Sequence, residues 1–283
     1  MENKIWAIIV TYNSEKWIKR CLQSLHTSSL VPKVIVVDNA SRDQTVTLVR
    51  KLYPEVTVVR KDDNTGFGQA CNIGLKYALE AQADYILIQN DDVEKAPDMI
   101  SKLQTTALNN PEYGILIPLN RTDSATDIDP KFCMELKKYG PPELFSDLLM
   151  SKTRDVYEVP VLPGAAMFLT GKALKVLGGF DPLFFVLGVE YDYCFRTSIS
   201  DLRVGFVPQA IAYHEYKRTK EGQAETGVTY KYYSADFYST SLFILKNRII
   251  HLSICCFIRV LIISSIFSML CASGTLRGSW PSV

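Results

Sequence analysis

One stretch constrains the fold of this chain more than any other. Residues 85–93 read Tyr-Ile-Leu-Ile-Gln-Asn-Asp-Asp-Val, an apolar, β-prone run that ends abruptly in amides and two carboxylates. A parallel sheet meets its ligands at the carboxyl ends of its strands, so polar groups at such a strand end are placed for chemistry. Hard cations take oxygen ligands, and Mg²⁺ typically uses one or two protein carboxylates plus substrate phosphates. Read alone, the stretch fits a metal and diphosphate site as well as it fits a strand end leading into a helix cap before Pro97.

Apolar runs at 5–10, 34–37, 56–59, 85–89 and 115–117 alternate with segments whose apolar residues recur at helical spacing. Trp17, Cys21, Leu22 and Leu25 mark a first helix, and Val46, Val49, Leu52 and Tyr53 a second. This alternation predicts an α/β fold with a Rossmann-like, mainly parallel sheet and helices on both faces. Ser14, Ser41 and Pro97 are credible helix starts, and Pro54 a plausible stop. At 283 residues the chain can bury a full core as one large domain or a compact pair. Its 31 basic and 30 acidic residues nearly balance, which argues against a nucleic-acid partner. Seven cysteines without a Cys-x-x-Cys pair suit a reducing, cytoplasmic setting better than a disulfide framework. The run at 5–10 is too short for a signal peptide and lacks a small-residue cleavage site, so it reads as the first strand.

In a parallel sheet, function belongs to the loops after the strands. The first loop is Thr11-Tyr12-Asn13-Ser14, polar and aromatic. The second, Asp38-Asn39-Ala40-Ser41, sets a carboxylate directly after a buried strand, either to meet a base or ribose or to hold the following turn. The third, residues 61–72, contains Gly66-Phe67-Gly68. A dinucleotide fingerprint belongs after the first strand, so these glycines suit close backbone approach to a ligand or entry into the next helix. The lack of a glycine finger after the first strand weighs against a nucleotide-dependent oxidoreductase. Asn90-Asp91-Asp92 forms the fourth loop.

Taken in order, Thr11-Tyr12-Asn13, Val37-Asp38-Asn39-Ala40-Ser41, Asn64-Thr65-Gly66-Phe67-Gly68 with Asn72, and Asn90-Asp91-Asp92 resemble the nucleotide-sugar half of the inverting family 2 glycosyltransferases. Those enzymes have the GT-A fold, and the similarity is to the branch that includes rhamnosyltransferases of bacterial surface polysaccharides. The resemblance spans roughly residues 4 to 250. It implies a UDP- or dTDP-sugar donor held by Thr11, Tyr12, Asn13, Asp38, Asn39, Asn64, Gly66, Phe67, Asn72, Asn90 and Asp91, with Asp38 at the nucleobase. It also implies a divalent cation, Mg²⁺ or Mn²⁺, on Asp92 with His214 completing the coordination, and a glycan or lipid-linked acceptor. The family's three-residue motif usually has aspartate at both ends; here the first place is Asn90, a weaker and uncharged ligand.

Residues 120–158 mix charges, prolines and short apolar pieces and read as a variable connection with some helix. The run 159–169 suits a strand beneath the sugar site, where Gly164 and Ala165 either keep the floor open for an acceptor or allow tight strand packing. Asp181 reads as an acceptor ligand or as a turn former before Pro182. In Val189-Glu190-Tyr191-Asp192-Tyr193-Cys194-Phe195-Arg196, Glu190 and Asp192 point in different directions on a helix. The family motif reads Glu-Asp-x-Asp followed by a cysteine and an arginine. Matching Asp192, Cys194 and Arg196 puts Glu190 where the catalytic aspartate stands and Val189 where the preceding glutamate stands. The resemblance therefore makes Glu190 the general base and leaves Asp192 structural or acceptor-binding.

His214, one of three histidines, follows two short strand patterns at 204–208 and 211–216. Lys217, Arg218 and Lys220 then suit either closure over a diphosphate or a solvated loop. Residues 1–248 thus read as a GT-A domain, with a nucleotide-sugar half at 1–118 and an acceptor and catalytic half at 119–248. The tail, 249–283, is strongly apolar over 249–272 and suits a helix lying on the cytoplasmic face of the inner membrane, or one buried against a partner. A non-catalytic nucleotide-sugar-binding protein is the rival reading that Asn90 and Val189 keep open.

Overall fold

The apolar runs of the N-terminal half all become strands, and the periodic segments between them become helices. The computed structural model describes residues 4–214, all within one compact unit. In chain order the elements are β1 (Ile5–Thr11), α1 (Ile18–His26), β2 (Lys33–Asp38), α2 (Thr45–Leu52), β3 (Thr57–Arg60), α3 (Phe67–Glu80), β4 (Tyr85–Asn90), β5 (Val93–Lys95) and α4 (Met99–Asn109). There follow β6 (Tyr113–Thr122), α5 (Pro130–Tyr139), α6 (Pro142–Leu149), β7 (Tyr157–Glu158), β8 (Ala166–Thr170), α7 (Gly171–Leu177), α8 (Val189–Ser198) and β9 (Arg203–His214).

The strands form one sheet in the order β3-β2-β1-β4-β8-β6-β9-β5, with β7 added on β9. β1 pairs in parallel with β2 and β4, and β2 with β3. Successive strands run outward from β1 to β3 and then return to its other side at β4, so the strand order reverses between β1 and β4. That reversal opens a crevice at the carboxyl edge. Beyond β4 the sheet becomes mixed: β8 is antiparallel to both β4 and β6, while β6 and β9 are parallel.

Alternate residues of the central strands serve opposite faces. Ala7, Ile9, Val36 and Leu87 share a core with Ile18, Leu22 and Leu25 of α1 and with Met99, Ile100 and Leu103 of α4. On the other face α3 presses close enough that a Cβ on Gly74 would stand 2.5 Å from Ile8 Cγ2. Each such aliphatic side chain contributes about 1.5–3 kcal/mol on full burial. The sheet is therefore a stiff base for the loops at its edge.

Helix starts differ from the sequence expectation for an instructive reason. α1 begins at Ile18, and Ser14 instead closes a turn before it, its carbonyl accepting from the Trp17 and Ile18 amides at 2.9 and 3.0 Å. α2 begins after Gln44 rather than Ser41, and α4 after Asp98 rather than at Pro97. Both serines are consumed in tying loops together. The two strands expected at 204–208 and 211–216 are one strand, β9, whose register against β6 shifts between Val207 and Ile211. Pro208 has no amide to give a ladder, and the bulge carries the strand past it. The 120–158 segment completes β6 and supplies α5 and α6. Among the described residues no helix is long and apolar enough to cross a membrane. Lys217, Arg218, Lys220 and the apolar tail lie outside the described residues, as does the boundary expected at 248.

Candidate active site

The crevice at the β1/β4 reversal is a cleft of about 430 Å³. Its first wall is built from the loops after β1, β2 and β3. Asp38, wholly buried, accepts from the Thr11 hydroxyl at 2.9 Å and the Ser41 amide at 3.0 Å, and Arg60 Nε stands 3.8 Å from it. Its carboxylate thus holds the turn and lies behind the cleft wall. Asp38, expected at the base, is not among the cleft-lining residues; Thr11, Tyr12 and Asn39 are. Asn13 is likewise a staple, with its amide donating to Ser41 Oγ at 2.9 Å and its Oδ1 accepting from the Arg42 amide at 2.8 Å.

Asn39 reaches across to the third loop, where its Nδ2 donates to Asn64 Oδ1 at 2.9 Å and to the Gly66 carbonyl at 3.1 Å. Gly66 has φ 86°, and a Cβ there would fall 2.2 Å from the Phe185 carbonyl oxygen. That carbonyl accepts from the Phe67 amide at 2.6 Å. Glycine is therefore required to dock the start of α3 against the 178–188 loop, and Asn64, Gly66 and Phe67 all line the cleft. Asn72 does not. Its carboxamide clasps the backbone of Phe180, donating to the carbonyl at 2.8 Å and accepting from the amide at 2.7 Å.

At the centre, Asn90, Asp91 and Asp92 leave β4 and enter the cleft together. Asp91 accepts from the Ser14 hydroxyl. His214, at the end of β9, lies between two carboxylates: Nδ1 is 3.1 Å from Asp129 Oδ2, and Nε2 is 3.5 Å from Asp92 Oδ1. Burial disfavours the imidazolium, but the hydrogen bond to Asp129 and the charge of Asp92 outweigh it and push His214 up to about 9. Asp92 Oδ1 is shut from solvent and has no hydrogen-bond partner. Among the described residues no group of three or more His, Cys, Asp or Glu side chains is arranged to hold a metal. Asp92, and His214 once it has lost its proton, are side chains here that could ligate a cation, and a cation that also binds phosphate needs only one or two from the protein.

The opposite wall carries Glu190, in the first turn of α8. Burial pushes its carboxyl above the usual range; its own backbone amide and the Lys131 ammonium pull it down, and Glu135 pushes it up. Gly164 makes room for it, since a Cβ there would stand 2.8 Å from Met167 Sδ and 3.1 Å from Glu190 Cβ. Gly164 and Ala165 both line the cleft.

Asp192 and Asp181, expected at an acceptor, are turned to structural work. Asp181 Oδ1 accepts from the Leu183 amide at 2.9 Å, the bond of an Asp-Pro turn. Asp192 is wholly buried and accepts from Arg196 Nε at 2.9 Å, while Arg196 donates to the Leu177 and Gly179 carbonyls at 2.7 and 2.9 Å. Removing one partner of a buried ion pair leaves the other uncompensated. Asp192→Ala is therefore expected to cost about 3 kcal/mol, at the low end for such pairs because Arg196 is partly exposed. Chemical denaturation measures this; an unchanged midpoint with a raised acceptor KM would return Asp192 to the acceptor.

The cleft also contains residues that the sequence did not announce: Asn120, Asp129, Lys131, Phe180, Val186 and Leu187. Only Asp129 carried a signal. It precedes Pro130 and caps α5, accepting from the Phe132 amide at 2.8 Å, and Asp-Pro at a helix start is a readable pattern.

The chain matches the model of Glycosyl transferase family 2 over residues 6–147. N-acetylglucosaminyl-diphospho-decaprenol L-rhamnosyltransferase of Mycobacterium tuberculosis is 25% identical over 235 residues, 76% of each chain. The dTDP-rhamnosyl transferase RfbF of Shigella flexneri is 25% identical over 217 residues, 76% of this chain and 70% of the relative. Among solved structures, S. aureus TarS 1-349 aligns with a TM-score of 0.59 at 17% identity, over 88% of this chain and 67% of its own. The mannosyltransferase PcManGT from Pyrobaculum calidifontis, in complex with GDP-Man and Mn²⁺, aligns with a TM-score of 0.56 at 18% identity, over 95% and 81%. These two likenesses establish the fold as GT-A. With a family match over half of its length, the chain belongs to glycosyl transferase family 2.

Proposed function

We propose that this protein moves a sugar, with inversion, from a UDP- or dTDP-sugar to a hydroxyl of a glycan or lipid-linked acceptor in bacterial surface polysaccharide synthesis. The observation that carries the reading is the placing, across one cleft, of Glu190 and Asp92, whose Oδ1 is shut from solvent without a hydrogen bond. The rhamnosyltransferase relatives favour a dTDP-sugar and an acceptor of the lipid diphosphate class. Such an acceptor is met at the cytoplasmic face of the inner membrane.

The nucleoside enters against Tyr12, whose ring is half exposed, between the loops that Asn39 and Asn64 tie together. Asp38 and Asn13 serve it from behind by fixing those loops, and Asn72 by fixing the Phe180 backbone. Asp92 and His214 would hold a divalent cation, with Asn90 and Asp91 beside them. When bound, the ion neutralises charge on the departing diphosphate. The mannosyltransferase complex contains Mn²⁺, which supports a divalent cation in this fold.

Glu190 takes the proton from the acceptor hydroxyl as that oxygen attacks the anomeric carbon opposite the diphosphate. One displacement without a covalent intermediate inverts the centre. A carboxylate raised by burial is a stronger base than an exposed one, which suits proton abstraction near neutral pH. Phe180, Val186 and Leu187 give the acceptor side an apolar lining.

Release of nucleoside diphosphate from a panel of UDP- and dTDP-sugars, with Mn²⁺, Mg²⁺ or chelator and a lipid-linked acceptor extract, tests the reading. The expected result is metal-dependent release from one donor. Tight donor binding without release under any condition would assign the protein to nucleotide-sugar binding instead.

A further inference from the structure

Among the described residues, Asn120 is the one cleft-lining side chain on β6. It is 1% exposed, and its carboxamide oxygen is shut from solvent without a hydrogen-bond partner. A buried acceptor left unpaired is destabilising and calls for an explanation. A shift of the backbone does not offer one. Asn120 is paired with Ala212 of β9, and its carbonyl accepts from the Asp129 amide at 3.0 Å, so its backbone is fixed on both sides.

The missing partner is therefore a donor that arrives with the ligand. β6 lies three strands from β1 in the order β1-β4-β8-β6, about 14 Å at the usual strand spacing. That is remote from the base loops and between the strands that deliver Asp92 and His214. An amide is neutral and offers an acceptor and donors together, which matches a hydroxyl better than a phosphate; the phosphates have the proposed cation. We propose that Asn120 binds a hydroxyl of the sugar being transferred, orients its ring toward Glu190, and contributes to the choice of donor sugar. This rests on the glycosyl-transfer reading above.

The test compares the affinity of wild type, Asn120→Ala and Asn120→Ser for free UDP or dTDP with that for the corresponding sugar nucleotide, all with Mn²⁺. The free nucleotide should bind all three proteins alike, whereas the sugar nucleotide should bind the variants about 5- to 20-fold more weakly. A donor lacking the contacted hydroxyl should bind wild type about as weakly as it binds the variants, because a site built to bond a hydroxyl rejects the analogue that lacks it. Thermal midpoints should not fall, since the native partner of the oxygen is absent without ligand. Equal weakening of nucleotide and sugar nucleotide would place Asn120 on the diphosphate or cation and overturn the proposal. Unchanged affinity for both, with wild type binding donor, would overturn it alone. No donor binding by wild type would overturn the transfer reading and this inference with it.

Discussion

Glu190→Gln is expected to slow transfer by about 10²- to 10⁴-fold, the usual worth of a positioned general base, while donor affinity stays close to wild type. The substitution keeps the shape of the side chain and removes its ability to take a proton. It should not unfold the protein. Burial holds the Glu190 carboxyl above its ordinary range, so the ionised form at neutral pH is a cost to the folded state. Glutamine removes that cost, and the denaturation midpoint should stay level or rise. The same shift fixes the pH dependence. The base acts only when ionised, so the rate must fall as pH drops through its raised pKa, and the acid limb of kcat/KM should lie above the 4.5 of an ordinary glutamate. Stopped assays of nucleoside diphosphate release across pH, with circular dichroism melts of both proteins, give both readouts. Transfer by Glu190→Gln at more than a tenth of the native rate would remove Glu190 from the role.

Much of the nucleotide half was legible because its signals are local. An apolar run followed by polar residues marks both a strand and the edge where ligands meet it, so β1, β2 and β4 and their loops could be read directly. What could not be read is which polar group of a loop faces outward. Asp38 and Asn39 are adjacent, yet one is wholly buried behind the wall and the other lines the cleft. The difference depends on Thr11 and Ser41, which come from two different loops. Asp192 was ambiguous for the same reason. Its partner Arg196 lies one helical turn away in sequence, but the carbonyls that orient the guanidinium belong to the last residue of α7 and the loop after it. Asn120 left no trace because an asparagine near a strand end is ordinary; only the pairing of β6 with β9 sets it opposite Ala212, two residues before His214. Long-range register is the part of a fold that a single sequence states least.

Asp92→Ala is expected to abolish metal-dependent turnover, with a loss of about 10²-fold or more, since an ion neutralising a leaving diphosphate supplies several kcal/mol at roughly 1.4 kcal/mol per decade. The physical case is the state of its carboxylate. Oδ1 is desolvated without a hydrogen bond and faces the imidazole Nε2 of His214 at 3.5 Å, too far for a strong bond. A carboxylate held in this way is incompletely satisfied by His214 and has room for a second positive charge. Its removal should lower the denaturation midpoint less than Asp192→Ala does, because Asp92 stands 3.5 Å from His214 whereas Asp192 is held by a 2.9 Å bond to Arg196. Chelator provides the internal control. Wild type treated with chelator should fall to the rate of the variant, and the variant should respond neither to chelator nor to added Mn²⁺. If the variant keeps an Mn²⁺-dependent rate, the cation is held elsewhere in the cleft, and Asn90 and Asp91 are the residues to alter next.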